Sequence, residues 1–115
     1  MGKVSKFFLA LMILALACTP LFAHPAEKVD LKWDEAASEL HVSVVHPVKN
    51  TANHYISRIV VSVDGKVAEE RVLTSQSSSK TEEAVFEIKD LKKGSKIEVE
   101  VTCNVFGKRK GSIVI

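Results

Sequence analysis

From residue 28 onward, apolar and polar side chains alternate with a period of two, the pattern of strands that bury one face. Val29, Leu31 and Trp33 alternate with polar neighbours, as do Leu40, Val42 and Val44, which predicts strands over 28–33 and 39–45. Between His54 and Val63 the apolar set Tyr55, Ile59, Val61 and Val63 falls on one face, with Ile56 and Val60 on the other. Asp64-Gly65 follows directly, flanked by Val63 and Val67; such a pair supplies the positive φ values of a tight hairpin turn. A return strand to about Thr74 is expected. The polar run Ser75 to Lys80 then reads as a solvated loop or a crossover between sheets.

A fifth strand is expected from Thr81 to Lys89, with Ala84, Phe86 and Ile88 on one face, and Lys92-Lys93-Gly94-Ser95 makes a turn. The sixth is the cleanest: Ile97, Val99, Val101 and Cys103 alternate with Glu98, Glu100 and Thr102. Gly111 to Ile115 forms the last. Seven short strands with turn signals about every ten residues predict an all-β, immunoglobulin-like antiparallel β-sandwich. No internal repeat or second domain is visible, and the charged strand residues read as solvated faces.

The first 23 residues differ in kind. Met1 to Lys6 carry Lys3 and Lys6, an apolar run extends from Phe7 to Ala17, and Ala23 is a small residue suited to cleavage. These are the three parts of a secretory signal peptide. The apolar run is well short of the ~20 residues of a spanning helix, so no membrane span is expected after cleavage. A lipoprotein signal at Cys18 is the alternative. The expected organisation is a signal peptide over 1–23 and one domain over 24–115, exported to a periplasm or secreted.

Removal of the signal changes the charge and the cysteine count. The whole chain has 16 Lys and Arg against 14 Asp and Glu, a formal charge of +2. Residues 24–115 retain 14 of each and are neutral, which leaves no basic excess for nucleic acid. They also retain one cysteine, Cys103, and all four histidines, His24, His41, His46 and His54. A lone cysteine in an exported domain is a buried inert thiol, half of an intermolecular disulfide, or a metal-bound thiolate.

The histidines bear on that choice. His46 and His54 bracket the loop between the second and third strands, and Cys103 ends the sixth. In an immunoglobulin-like sandwich the loops after the second and sixth strands lie at one end, together with the start of the first. His24, His46, His54 and Cys103 are therefore candidates to converge on a transition metal. The sequence His46-Pro47, a short loop, His54-Tyr55-Ile56, a strand ending in Asp64-Gly65-Lys66, then Cys103-Asn104-Val105-Phe106-Gly107 resembles the iron domain of superoxide reductases, the desulfoferrodoxins and neelaredoxins.

That resemblance implies a mononuclear iron, held by histidines in a plane and an axial cysteine, that reduces superoxide to hydrogen peroxide. It implies metal-ligand roles for His24, His46, His54 and Cys103. Three departures stand out: a longer loop between His46 and His54, Ala23 where a lysine commonly precedes the first histidine, and Phe106 where the family's Cys-Asn-x-His-Gly motif has histidine. If cleavage exposes His24, its α-amine could take the place of the donor lost at Phe106. Lys49 is the candidate catalytic residue, as a positive charge that steers superoxide or another small anion.

The remaining expectations are structural. His41 reads as a surface strand residue, Phe106 as a packing residue at a loop tip, Tyr55 and Trp33 as core or rim aromatics, and Lys108-Arg109-Lys110 as a solvated turn. Iron is the expected cofactor, with copper or zinc as alternatives. An active enzyme would need an external electron donor, since no Cys-x-x-Cys pair is present to serve as one. The alternative function is a non-catalytic envelope module that binds metal or a partner on the same fold, and a homo-oligomer is compatible with either.

Overall fold

The computed structural model describes residues 24–115, so the expected signal peptide, its cleavage after Ala23 and the Cys18 alternative lie outside the described residues. The described chain is an antiparallel immunoglobulin-like β-sandwich. Seven strands follow in order: β1 (Lys28–Asp34), β2 (Glu39–Val45), β3 (Ile56–Val63), β4 (Lys66–Val72), β5 (Thr81–Glu87), β6 (Lys96–Cys103) and β7 (Lys108–Val114). One sheet has the order β1-β2-β5 and the other β4-β3-β6-β7. Residues 73–80 carry the chain from the second sheet to the first, so the polar run is a crossover.

The core lies between the sheets and is made by the predicted alternation. Leu40, Val42 and Val44 of β2 face Ile59 and Val61 of β3 and Ile97, Val99 and Val101 of β6, all at most 1% exposed. Ala84 and Phe86 of β5 complete the buried face, while Val29, Leu31, Trp33 and Ile113 pack against its margin. Burying each aliphatic side chain is worth about 1.5–3 kcal/mol. A slip of one residue in any strand would expose its whole series, so the pattern sets the register.

Two expectations about the strands are corrected. Ile56 does not share a face with Val60; it is fully buried. The cause is an irregularity in the β3–β6 ladder, where Ile56 opposes Cys103 but Arg58 opposes Thr102, leaving Ser57 as an extra residue. This bulge reverses the parity of everything before it. The last strand also begins three residues earlier than expected, because Lys108, Arg109 and Lys110 already pair with Thr102, Val101 and Glu100. That basic run is strand rather than turn. Lys108 lies 3.6 Å from Glu100, and Lys110 lies 3.6 Å from Glu98 and 3.7 Å from Glu100.

The Asp64-Gly65 turn is as expected, with φ values of 48° and 84°. Gly111 serves a different purpose: a Cβ there would lie 2.7 Å from the Val29 carbonyl oxygen and 3.0 Å from its Cβ. The missing side chain lets β7 of one sheet close against β1 of the other.

Candidate metal centre

Three of the candidate ligands are continuations of the core alternation beyond its apolar part. On β2 the inward series Leu40, Val42, Val44 is followed two residues on by His46, itself fully buried. On β6 the series Ile97, Val99, Val101 ends in Cys103, 5% exposed and a free thiol. On β3 the bulge makes Ile56 inward, and the same parity falls on His54. The hydrophobic core therefore gives way to nitrogen and sulfur donors at one end of the sandwich.

Hydrogen bonds hold these positions together. The His46 N–H donates to the Lys80 carbonyl at 3.0 Å, anchoring the start of the loop. Inside that loop Asn50 Oδ1 accepts from Ala52 N–H at 2.9 Å, and the Asn50 carbonyl accepts from His54 N–H at 3.0 Å. Asn104 then joins this loop to the one after β6. Its Oδ1 accepts from Tyr55 N–H at 2.8 Å, its Nδ2 donates to the Asn53 carbonyl at 3.0 Å, and its own N–H donates to the Tyr55 carbonyl at 3.0 Å. Cys103 N–H donates to the Gly107 carbonyl at 3.0 Å, which closes the turn.

Donor atoms of His46, His54 and Cys103 all lie within 4.8 Å of one another. The rings of His46 and His54 are 4.9 Å apart between centroids and nearly perpendicular, at 88°. The His24 ring completes a triangle, 5.3 Å from His46 and 5.4 Å from His54, although it stands outside the tighter trio. It is held by the contact of its Nδ1 with the Pro25 carbonyl at 3.0 Å. Pro25 is in turn pressed by Gly107, whose φ is +87° and whose added Cβ would lie 2.9 Å from that of Pro25. The first histidine and the cysteine turn thus lean on each other.

Nε2 of His46 and Nε2 of His54 are buried without a hydrogen-bond partner. An unpaired buried polar atom costs about 1–3 kcal/mol, and two such atoms beside a thiol are unfavourable unless a ligand takes their lone pairs. Ligands about 2.0–2.3 Å from a shared ion lie roughly 3–4 Å from each other, so the observed spacing needs only small side-chain adjustments. Protonation would oppose such binding, and at His54 it is already disfavoured: burial lowers its pKa from the ordinary histidine value, aided by His46 and His24 nearby.

An open cleft of about 540 Å³ adjoins the centre, lined by His24, Pro47, Val48, Lys49, Asn50, Asn53 and His54. Lys49 stands exposed on its rim. The 46–55, 73–80 and 104–107 loops carry Lys49 and Lys80 and no carboxylate. Phe106 is not the packing residue expected: it is 61% exposed beside Val105 at 50%, because the turn meets Pro25 through Gly107. Tyr55 is half-buried, and Trp33 packs against the core as expected.

His41 is exposed, 3.6 Å from Glu39, and belongs with Asp34 to a surface group on the β1–β2 hairpin away from the centre. Gln76 was not anticipated at all. It leaves the serine-rich crossover, is 6% exposed, and contacts Nδ1 of His46 at 2.7 Å. A single glutamine in a polar run carries no sequence signal of that contact.

The fold and the centre define a class: an all-β immunoglobulin-like sandwich with a buried His/Cys group able to hold a metal ion. No protein-family model, curated protein or solved structure gives a significant match to the chain.

Proposed function

We propose that the chain is an exported mononuclear metalloprotein of superoxide reductase type, with His24, His46, His54 and Cys103 as ligands of one iron ion. The observation that carries the reading is the pair of buried Nε2 atoms without partners, on two histidines that each bring a ring nitrogen within 4.8 Å of the other and of the Cys103 sulfur. Imidazole and thiolate together suit a redox-active transition metal, and a bound thiol is deprotonated. The resemblance of His46-Pro47, His54-Tyr55 and Cys103-Asn104 to superoxide reductases supports iron as the occupant.

Iron in its ferrous form would supply one electron to superoxide, which with two protons becomes hydrogen peroxide; an external reductant restores that electron. The chain's own residues provide access and field. The open cleft admits a small anion beside His24 and His54, and Lys49 on its rim attracts negative charge with no carboxylate in the three loops to oppose it.

The exposed position of Phe106 favours a second reading. With no donor there, three histidines and one cysteine make a four-donor set, which also suits tetrahedral zinc or copper held without turnover. Metal analysis of protein isolated from its native compartment, followed by superoxide consumption by the reduced protein, separates the two. Iron, a visible band lost in Cys103→Ser and superoxide consumption support the reductase. Zinc or copper without consumption supports the binding module, and no bound metal in the wild-type protein refutes both.

A further inference from the structure

Gln76 is engaged at every polar position of its side chain. Its Nε2 lies 2.7 Å from the His46 carbonyl oxygen and 2.9 Å from that of Ser78, and its Oε1 lies 3.2 Å from Ile56 N–H and 2.7 Å from His46 Nδ1. Carbonyl oxygens only accept, so the atom facing two of them is the amide nitrogen. A backbone N–H only donates, so the atom facing Ile56 is the amide oxygen. The amide cannot be flipped without breaking three of these contacts. Its oxygen then has only lone pairs to offer His46, and a 2.7 Å contact requires that Nδ1 carry the proton.

The other ring nitrogen follows from this. With the proton on Nδ1, a neutral His46 has its lone pair on Nε2, the atom that is buried without a partner. We propose that Gln76 is a positioning residue that sets the tautomer and orientation of His46, so that Nε2 is presented as a ready-made metal donor. The proposal rests on the metal-binding reading of the centre and deepens it. Gln76 N–H donates to the Thr51 carbonyl at 3.1 Å, which ties the same segment to the loop between His46 and His54. Glu82, 4% exposed, holds the neighbouring Ser77 through its N–H at 2.9 Å and through its hydroxyl. The crossover is thereby built to deliver one amide to one imidazole.

The test uses residues 24–115 as they stand in the full chain, with cobalt(II) as the probe metal. Long-range nitrogen–proton NMR of the metal-free protein, above the ordinary histidine titration range, is expected to show His46 protonated on Nδ1. Gln76→Leu removes the acceptor and should redistribute that proton and weaken cobalt binding about 10–100-fold, the usual effect of losing the partner of a ligating histidine. Gln76→Glu keeps the acceptor oxygen but loses both donors to carbonyls. Its second oxygen faces those carbonyls without a proton to offer, so it is expected to keep the Nδ1–H tautomer, bind cobalt more tightly than Gln76→Leu but less tightly than wild type, and shift the cobalt absorption bands.

A purely structural Gln76 predicts instead that both variants lose affinity alike, since both lose the same two donor bonds. That result overturns the proposal, as does a wild-type His46 protonated on Nε2. If Gln76→Leu fails to fold, the wild-type tautomer and the Gln76→Glu titration still decide. Failure of the wild-type protein to bind cobalt would overturn the role given to Nε2 and the metal reading together, whereas the metal-free NMR result judges Gln76 separately.

Discussion

Replacing Asn104 with alanine separates the assembly of the centre from the stability of the fold. The Asn104 side chain makes two bonds across the gap between the β6–β7 turn and the loop ahead of β3, to Tyr55 N–H at 2.8 Å and to the Asn53 carbonyl at 3.0 Å. Each is worth about 0.5–1.5 kcal/mol net, and both lie at the exposed surface where water can substitute, so the lower half of the range applies. Asn104→Ala is then expected to cost about 1–2 kcal/mol of metal-free stability in urea unfolding. The same bonds hold Cys103 against His54, so part of that cost should reappear in binding, as a roughly tenfold weaker cobalt affinity by competition with a chelator. Asn104→Asp retains the acceptor for Tyr55 N–H and loses only the donor to Asn53, and should fall about halfway on both measures. Unchanged cobalt affinity in Asn104→Ala, with the stability loss present, would show that the stitch serves the fold alone and refute its role in the centre.

Other perturbations address different parts of the molecule. Because the folded pKa of His54 is lowered, the unfolded chain binds more protons than the folded one once pH falls below the ordinary histidine value of about 6.5. The contribution of His54 to metal-free stability is thus complete above that pH and declines below it, and His54→Gln should flatten this part of a pH-dependent urea-unfolding profile. Gly111→Ala places a methyl group 2.7 Å from the Val29 carbonyl oxygen and should cost about 1–3 kcal/mol by overpacking, with cobalt affinity little changed, as thermal melting and titration would show. Phe106→His, at an exposed loop tip, should leave metal-free stability within about 0.5 kcal/mol of wild type and tighten cobalt binding if the turn can bring its imidazole to the ion; unchanged affinity would show that the turn holds position 106 out of reach.

Most of the sandwich was legible in the alternation of side chains, and so was the end at which the donors gather. His46 and Cys103 sit two residues beyond Val44 and Val101 in series that the pattern already marks as inward, and an immunoglobulin-like topology brings those strand ends together. His54 was identified by its place at the end of the loop that His46 opens and by its motif, not by its parity, because the bulge at Ser57 is invisible in a strand rich in apolar residues on both faces. Ile56 was misassigned for the same reason. Lys108 to Lys110 looked like a turn because three basic residues carry no alternation; their strand is made by cross-strand partners, above all Glu98 and Glu100. Gln76 was illegible in principle, since its importance comes from where a crossover folds and not from its neighbours in sequence.

The placement of the donors also explains how a small domain can carry such a centre with no disulfide among the described residues. His46 and Cys103 occupy core positions and His54 a half-buried one beside them, so the same sheet pairing that buries Val44, Val101 and Ile56 holds the three donors near one another without a metal. The cost is two buried imidazole nitrogens without partners, about 1–3 kcal/mol each. Apolar residues at those three positions would remove that cost and extend the core by one more layer. A bound metal ion would remove it too, and by binding the folded arrangement more tightly than the scattered donors of the unfolded chain it would add to stability, by at most about 2.7 kcal/mol at a free concentration 100 times the dissociation constant. The donors would therefore be destabilising in a metal-free chain and stabilising in a loaded one, a sign change that inert core residues in the same positions could not produce.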